Sequence, residues 1–129
     1  MKTRVSWKEK LDRASAPKNP HIDEAPPQWV GGKLGMKMVI PSAWELEKMI
    51  RQIPEGKTRN IKDIRDAYAR THGADITCPL TSGIFLRIIA EYAEEQRALG
   101  EKDITPYWRV VTDNGKMPPK IQTIYSRGR

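Results

Sequence analysis

The sequence predicts a mainly α-helical fold with a small β-hairpin, a single domain over residues 36–120 behind an irregular N-terminal arm, residues 1–35. Three observations lead there. A chain of 129 residues has room for one core and not for a second full domain. Its apolar residues concentrate between Met36 and Val111, in runs with helical spacing. Near the C-terminal end, one β-branched and aromatic run is followed by a tight-turn signal. The lone Cys78 excludes an internal disulfide framework and suits a reducing compartment. No apolar run approaches the roughly 20 residues of a membrane span, and the first residues lack the apolar stretch of a secretory signal. A soluble, cytoplasmic protein is expected.

Residues 1–35 hold four of the ten prolines (Pro17, Pro20, Pro26, Pro27) and show no sustained periodicity. Trp7 and Leu11, four apart, and the Trp29-Val30 pair read as apolar anchors that dock this arm on the core. Ser42 and Glu45 have the spacing of a capping box, and Leu46, Met49, Ile50 and Ile53 follow at helical intervals, so a helix is predicted over 42–52. Pro54-Glu55-Gly56 breaks it. Asn60 is a good N-cap for a second helix over 61–71, with Ile61, Ile64, Ala67 and Tyr68 on one stripe and His72-Gly73 as its stop. Thr81 or Ser82 caps a third helix, in which Ile84, Phe85, Ile88, Ile89 and Tyr92 face inward and Gly100 marks the end. Tyr107 to Thr112 reads as a strand, and Asp113-Asn114-Gly115 as the turn into Lys116-Met117, together a small hairpin or wing. Residues 121–129 are a basic C-terminal tail; whether the Ile121-Ile124 pair marks a strand stays open. The order helix, helix, hairpin is that of a winged helix-turn-helix-like domain.

The formal net charge is +7, from 23 Lys+Arg against 16 Asp+Glu. Positive charge raises the local concentration of polyanions, so nucleic acid is the first candidate partner, against the simpler reading that charge keeps a small protein soluble. Residues 1–35 carry seven basic and four acidic groups, 36–100 ten and nine, and 101–129 six and three. Both ends are basic and the centre is nearly neutral. Arg59, Lys62, Arg87, Arg109 and Lys116 are the cations placed to meet phosphates or bases, with Thr81 and Ser82 at the start of the third helix. Cys78 and His72 lack the further ligands of a tetrahedral metal set, and Gly31-Gly32-Lys33-Leu34-Gly35 lacks the spacing of a phosphate loop. No metal or cofactor is expected.

The stretch Ile53-Pro-Glu-Gly-Lys-Thr-Arg-Asn-Ile-Lys-Asp-Ile64, then a helix, then Ile104-Thr-Pro-Tyr-Trp-Arg-Val-Val111 with its Asp-Asn-Gly-Lys turn, resembles the C-terminal DNA-binding domain of alkylguanine-DNA alkyltransferases over about residues 40–118. In that family an Ile-Pro-x-Gly lead-in precedes the helix-turn-helix, and an Ile-Pro-Cys-His-Arg-Val segment supplies the cysteine that accepts the alkyl group from a flipped guanine. Pro106, Arg109 and Val110 match, whereas Tyr107 stands at the cysteine position and Trp108 at the histidine position. A phenol does not replace an activated thiolate, so alkyl transfer by the family route is not expected. The resemblance is therefore closest to the cysteine-lacking alkyltransferase-like proteins. It implies DNA binding in DNA repair, with recognition of alkylated guanine as DNA damage and no chemistry. Tyr107 and Trp108 then line a base pocket by stacking, or fill it as core. The sequence departs from the family at Ile61, where the family has a tyrosine that rotates the phosphate. It departs again at Thr81 or Ser82, about where the family inserts an arginine into the base stack.

The third helix turns acidic at Glu91, Glu94 and Glu95, which suggests a surface for a repair protein. A protein-interaction module on the same scaffold is the second reading, and an alkyl-accepting enzyme using Cys78 the third.

Overall fold

The computed structural model describes residues 5–129; residues 1–4, the start of the expected arm, lie outside the described residues. Among the described residues the chain is mainly α-helical, as expected, with five α-helices and two small sheets. At its centre lies α4 (Pro79–Ala98), whose Phe85, Leu86, Ile89, Ala90 and Ala93 are buried under α1 (Trp7–Arg13), α2 (Ala43–Arg51) and α5 (Pro119–Arg127). α3 (Ile61–Thr71) turns Ile64 and Tyr68 into the same core. No helix among the described residues is long and apolar enough to cross a membrane.

The stretch expected to be an irregular arm is folded into this core. Ser6 caps α1 by accepting from the Glu9 amide at 3.1 Å, and Leu11, 0% exposed, points at α4 and its neighbours. Three hydrogen bonds then tie the arm to α2, one of them from the Ala43 amide to the Ala14 carbonyl at 3.2 Å. The Trp44 amide donates to Ser15 Oγ at 3.0 Å, and the Trp44 indole donates to Asp12 Oδ1 at 2.7 Å. Further on, β1 (His21–Glu24) pairs antiparallel with β2 (Lys37–Ile40), and β2 pairs parallel with β4 (Ile76–Thr77) through Met38↔Ile76 and Val39↔Thr77. Helix α1 has one fully buried side chain and its partners lie far along the chain, so no local periodicity announces it.

Ser42 does precede α2, but the capping box does not form. The Ser42 amide donates to the Tyr68 hydroxyl at 3.0 Å, and that hydroxyl donates to Glu45. A tertiary contact from α3 has taken the residues that a local motif would have used. Asn60 caps α3 as predicted, accepting from the Lys62 amide at 2.8 Å.

The wing is not a hairpin. Tyr107–Arg109 form a short 3-10 turn, and β5 (Val110–Val111) pairs parallel with β3 (Arg59–Asn60) through Arg59↔Val110 and Asn60↔Val111. The expected tight turn is present: the Thr112 amide donates to the Lys116 carbonyl at 2.8 Å, with Gly115 at φ +76°. Beyond it come Pro118 and Pro119, which have no N–H for a ladder, and Pro119 instead starts α5. The expected basic tail is that helix, held by the buried Ile121 and Ile124. Buried Glu47 on α2 accepts from Thr105 Oγ1 at 2.5 Å and pairs with Arg51, fixing the segment that leads into Tyr107.

Candidate functional site

Cys78 caps α4 and Pro79 starts it, so the cap lies three or four residues before Thr81 or Ser82, the caps expected from sequence. The Cys78 sulfur accepts from the Thr81 amide at 3.4 Å and from its hydroxyl at 3.2 Å, while Ser82 Oγ donates to the Cys78 carbonyl at 2.6 Å. Ser82 is thereby buried inside the first turns and offers nothing to a ligand; Thr81 is half-buried. Cys78 itself is buried and serves as the helix cap.

Leu80, Gly83, Ile84 and Arg87 then form an outward stripe at i, i+3, i+4 and i+7. Ile84, expected in the core, is 50% exposed, and Leu80 is 65% exposed. A cleft of about 300 Å³ lies on one side of this stripe, bounded by Trp7 and Lys10 of α1, Arg87 and Lys120. Another of about 470 Å³ lies on the other side, between Ile61 and Arg65 of α3 and the start of α5. Gly83, Ile84 and Lys120 border both clefts, and among the described residues no carboxylate lines either. Four cations therefore surround an apolar ridge. Lys10 also sits 3.9 Å over the Trp7 ring, a cation–π contact that holds the indole at the cleft edge.

Of the cations expected from sequence, only Arg87 belongs to these clefts. Lys62 pairs with Asp113 at 2.7 Å, and Asn60 Nδ2 donates to the same carboxylate at 2.8 Å, so this group clips the 112–116 turn to the start of α3. The Lys62 and Asn60 hydrogen bonds hold the Asp113 carboxyl below its ordinary range. Arg109 donates to the Ile53 carbonyl at 2.7 Å and braces the end of α2. Arg59 is half-buried in β3, and Lys116 is exposed in the turn. Lys10, Arg65 and Lys120 were missed because they sit on three elements, two of which were read as unstructured. The stripe in α4 was the available signal.

Tyr107 is 0% exposed. Its hydroxyl donates to Glu94 Oε2 at 2.6 Å, and its ring meets Trp108 and Tyr125 edge-on at 5.4 and 6.4 Å. Burial first, and then the bond to Glu94, push the phenol's pKa up. Arg129 lies 4.4 Å over the Tyr125 ring and 5.7 Å from the Trp108 ring centre. Tyr107 thus has no face free to stack on a base, whereas Trp108 is half-buried.

The acidic face is likewise used internally. Glu91 is buried and paired with Arg127, Glu94 pairs with Arg97 at 2.8 Å and Arg129 at 3.2 Å, and Glu95 accepts from the Trp7 amide at 3.2 Å. Burial pushes the Glu94 carboxyl up, but the Tyr107, Arg97 and Arg129 contacts outweigh it and hold it below the ordinary value of 4.5. A depressed folded pKa stabilises the fold above the unfolded value and loses that contribution as pH falls through the folded one. Glu94→Gln is expected to cost about 1–3 kcal/mol near neutral pH and to flatten the loss of stability below pH 4.5. Urea unfolding of both proteins across an acid pH series checks this; parallel curves would contradict it.

Searches against family models, curated proteins and solved structures found no match for this chain.

Proposed function

We propose that this is a non-enzymatic DNA-binding protein that meets duplex DNA with the outward face of the first half of α4. The observation that carries this reading is the ring of Lys10, Arg65, Arg87 and Lys120 around exposed Leu80 and Ile84, with no carboxylate among the described residues in either cleft. Such a face attracts phosphates by charge and offers apolar contact to sugars and base edges. In the winged helix-turn-helix-like reading, α3 and α4 are the helix pair and the 112–116 turn takes the place of the wing. Arg127 and Arg129 neutralise the acidic second half of α4, so the excess positive charge is presented at its first half. The alkyltransferase-like resemblance supports DNA as the partner. The burial of Tyr107 supports binding without stacking of an extruded base on that ring.

Fluorescence anisotropy with labelled duplexes, with and without an alkylated guanine, tests the proposal. Affinity is expected to fall as salt rises with a log–log slope of about −3 to −4, the value for four neutralised phosphates. A preference above about tenfold for the alkylated duplex would support damage recognition as well. No binding at low salt, or binding indifferent to salt, would defeat the DNA reading. The protein-interaction alternative would draw on Glu91, Glu94 and Glu95, which are engaged within the chain.

A further inference from the structure

Gly83 lies in the interior of a 20-residue helix, where glycine weakens the helix relative to alanine. The usual reason for such a glycine is another element packed against its Cα. Among the described residues that reason is absent, since a Cβ built on Gly83 meets none of them within 4 Å and its φ is an ordinary helical one. The residue is exposed, sits between Leu80 and Arg87 on the outward stripe, and borders both clefts. A side chain there would stand on the saddle between them. Among the described residues nothing covers the bare backbone at Gly83, which leaves room for a partner to pass close over the helix there.

The charges around the saddle decide what passes. Lys10 and Arg87 lie on one side, Arg65 on the other, and Lys120 borders both. A second copy of this chain would bring the same cations to the same place and be repelled, whereas a sugar-phosphate backbone is matched by them. We infer that one strand of duplex DNA crosses α4 at Gly83, its sugar against the bare helix backbone and successive phosphates toward the cations of the two clefts. This inference rests on the DNA-binding reading and makes Gly83 the positioning residue of that site.

The test uses the full chain and the variants Gly83→Ala and Gly83→Gln, read by thermal melting and by anisotropy with the same duplex at low salt. Both are good helix formers placed in open space, so melting temperature is expected to rise by about 2–5 °C. Affinity is expected to move the opposite way, falling about threefold for Ala and about thirtyfold or more for Gln. A role in folding alone cannot give these opposed signs. Gly83→Gln binding within about twofold of the parent overturns the inference while leaving DNA binding intact. A lower melting temperature for Gly83→Ala also overturns it, by placing the need for glycine inside the fold. Failure of the parent chain to bind any duplex removes the DNA reading and this inference together.

Discussion

Leu11→Ala is expected to lower the free energy of unfolding by about 2–5 kcal/mol, the cost of opening a cavity at a fully buried leucine plus the lost transfer of its side chain. The size of this effect comes from where α1 sits. Leu11 is among the largest side chains with no exposure, and it belongs to the cluster that contains Val39, Leu46, Ile89 and Ile121. The helix is also held by bonds that a loose arm would not make. Trp44 donates through both its amide and its indole to Ser15 and Asp12, and the Ala43 amide donates to the Ala14 carbonyl at 3.2 Å. Urea denaturation is the measurement, with the midpoint falling at unchanged slope. A change within about 0.5 kcal/mol, the range of an ordinary surface substitution, would return residues 5–14 to the status of an appendage. Against a native total of about 5–15 kcal/mol the predicted loss is a large fraction of the stability.

The contrast between α1 and α3 shows what was legible in the sequence. α3 could be read because its signals are local: Asn60 caps it, Ile64 and Tyr68 lie on one face, and Gly73 ends the segment with a positive φ of 65°. α1 has the cap, Ser6, but only one buried apolar residue in seven, so its helical state depends on contacts with α2 and α4 that no window of sequence contains. The same logic explains the missing hairpin. Asp113-Asn114-Gly115 does turn the chain, but a turn does not supply a second strand, and Pro118-Pro119 commits the next residues to a helix start. β5 then finds its partner in β3, far earlier in the chain, where no hairpin logic applies.

For the site, residue type was legible and placement was not. Arg87 was identified because it lies on the same helix as the outward stripe. Glu91, Glu94 and Glu95 look like a solvated acidic face until α5 and the amide of Trp7 cover them. Tyr107 looks like the floor of a pocket until Glu94, Trp108 and Tyr125 close around it. In each case the deciding partner arrives from a segment read as tail or arm, and that is why both basic ends had to fold before the functional face could be located.

The quadruple variant Lys10→Gln, Arg65→Gln, Arg87→Gln, Lys120→Gln is expected to weaken duplex binding at low salt by about a thousandfold and to flatten its salt dependence nearly to zero. Each cation that neutralises one phosphate contributes close to one unit of slope, so four removals account for a slope of about −3.6. The fold should survive, because none of the four side chains is buried and surface substitutions typically stay within about 0.5 kcal/mol. The comparison that gives the result its meaning is a second quadruple variant of the same charge change, Lys57→Gln, Arg59→Gln, Lys62→Gln, Lys116→Gln. Those residues line neither cleft, and Lys62 already neutralises Asp113 within the chain. If binding were a response to net charge alone, the two variants would lose affinity equally, since each removes four of the 23 basic residues. If the face around α4 is the site, the second variant keeps most of the slope and loses affinity by about tenfold or less, through the long-range field that salt screens over about 10 Å. Equal losses in the two variants would make binding a response to net charge without a defined face, and a greater loss in the second would move the interface away from α4 toward the 112–116 turn and the β3 end of the molecule.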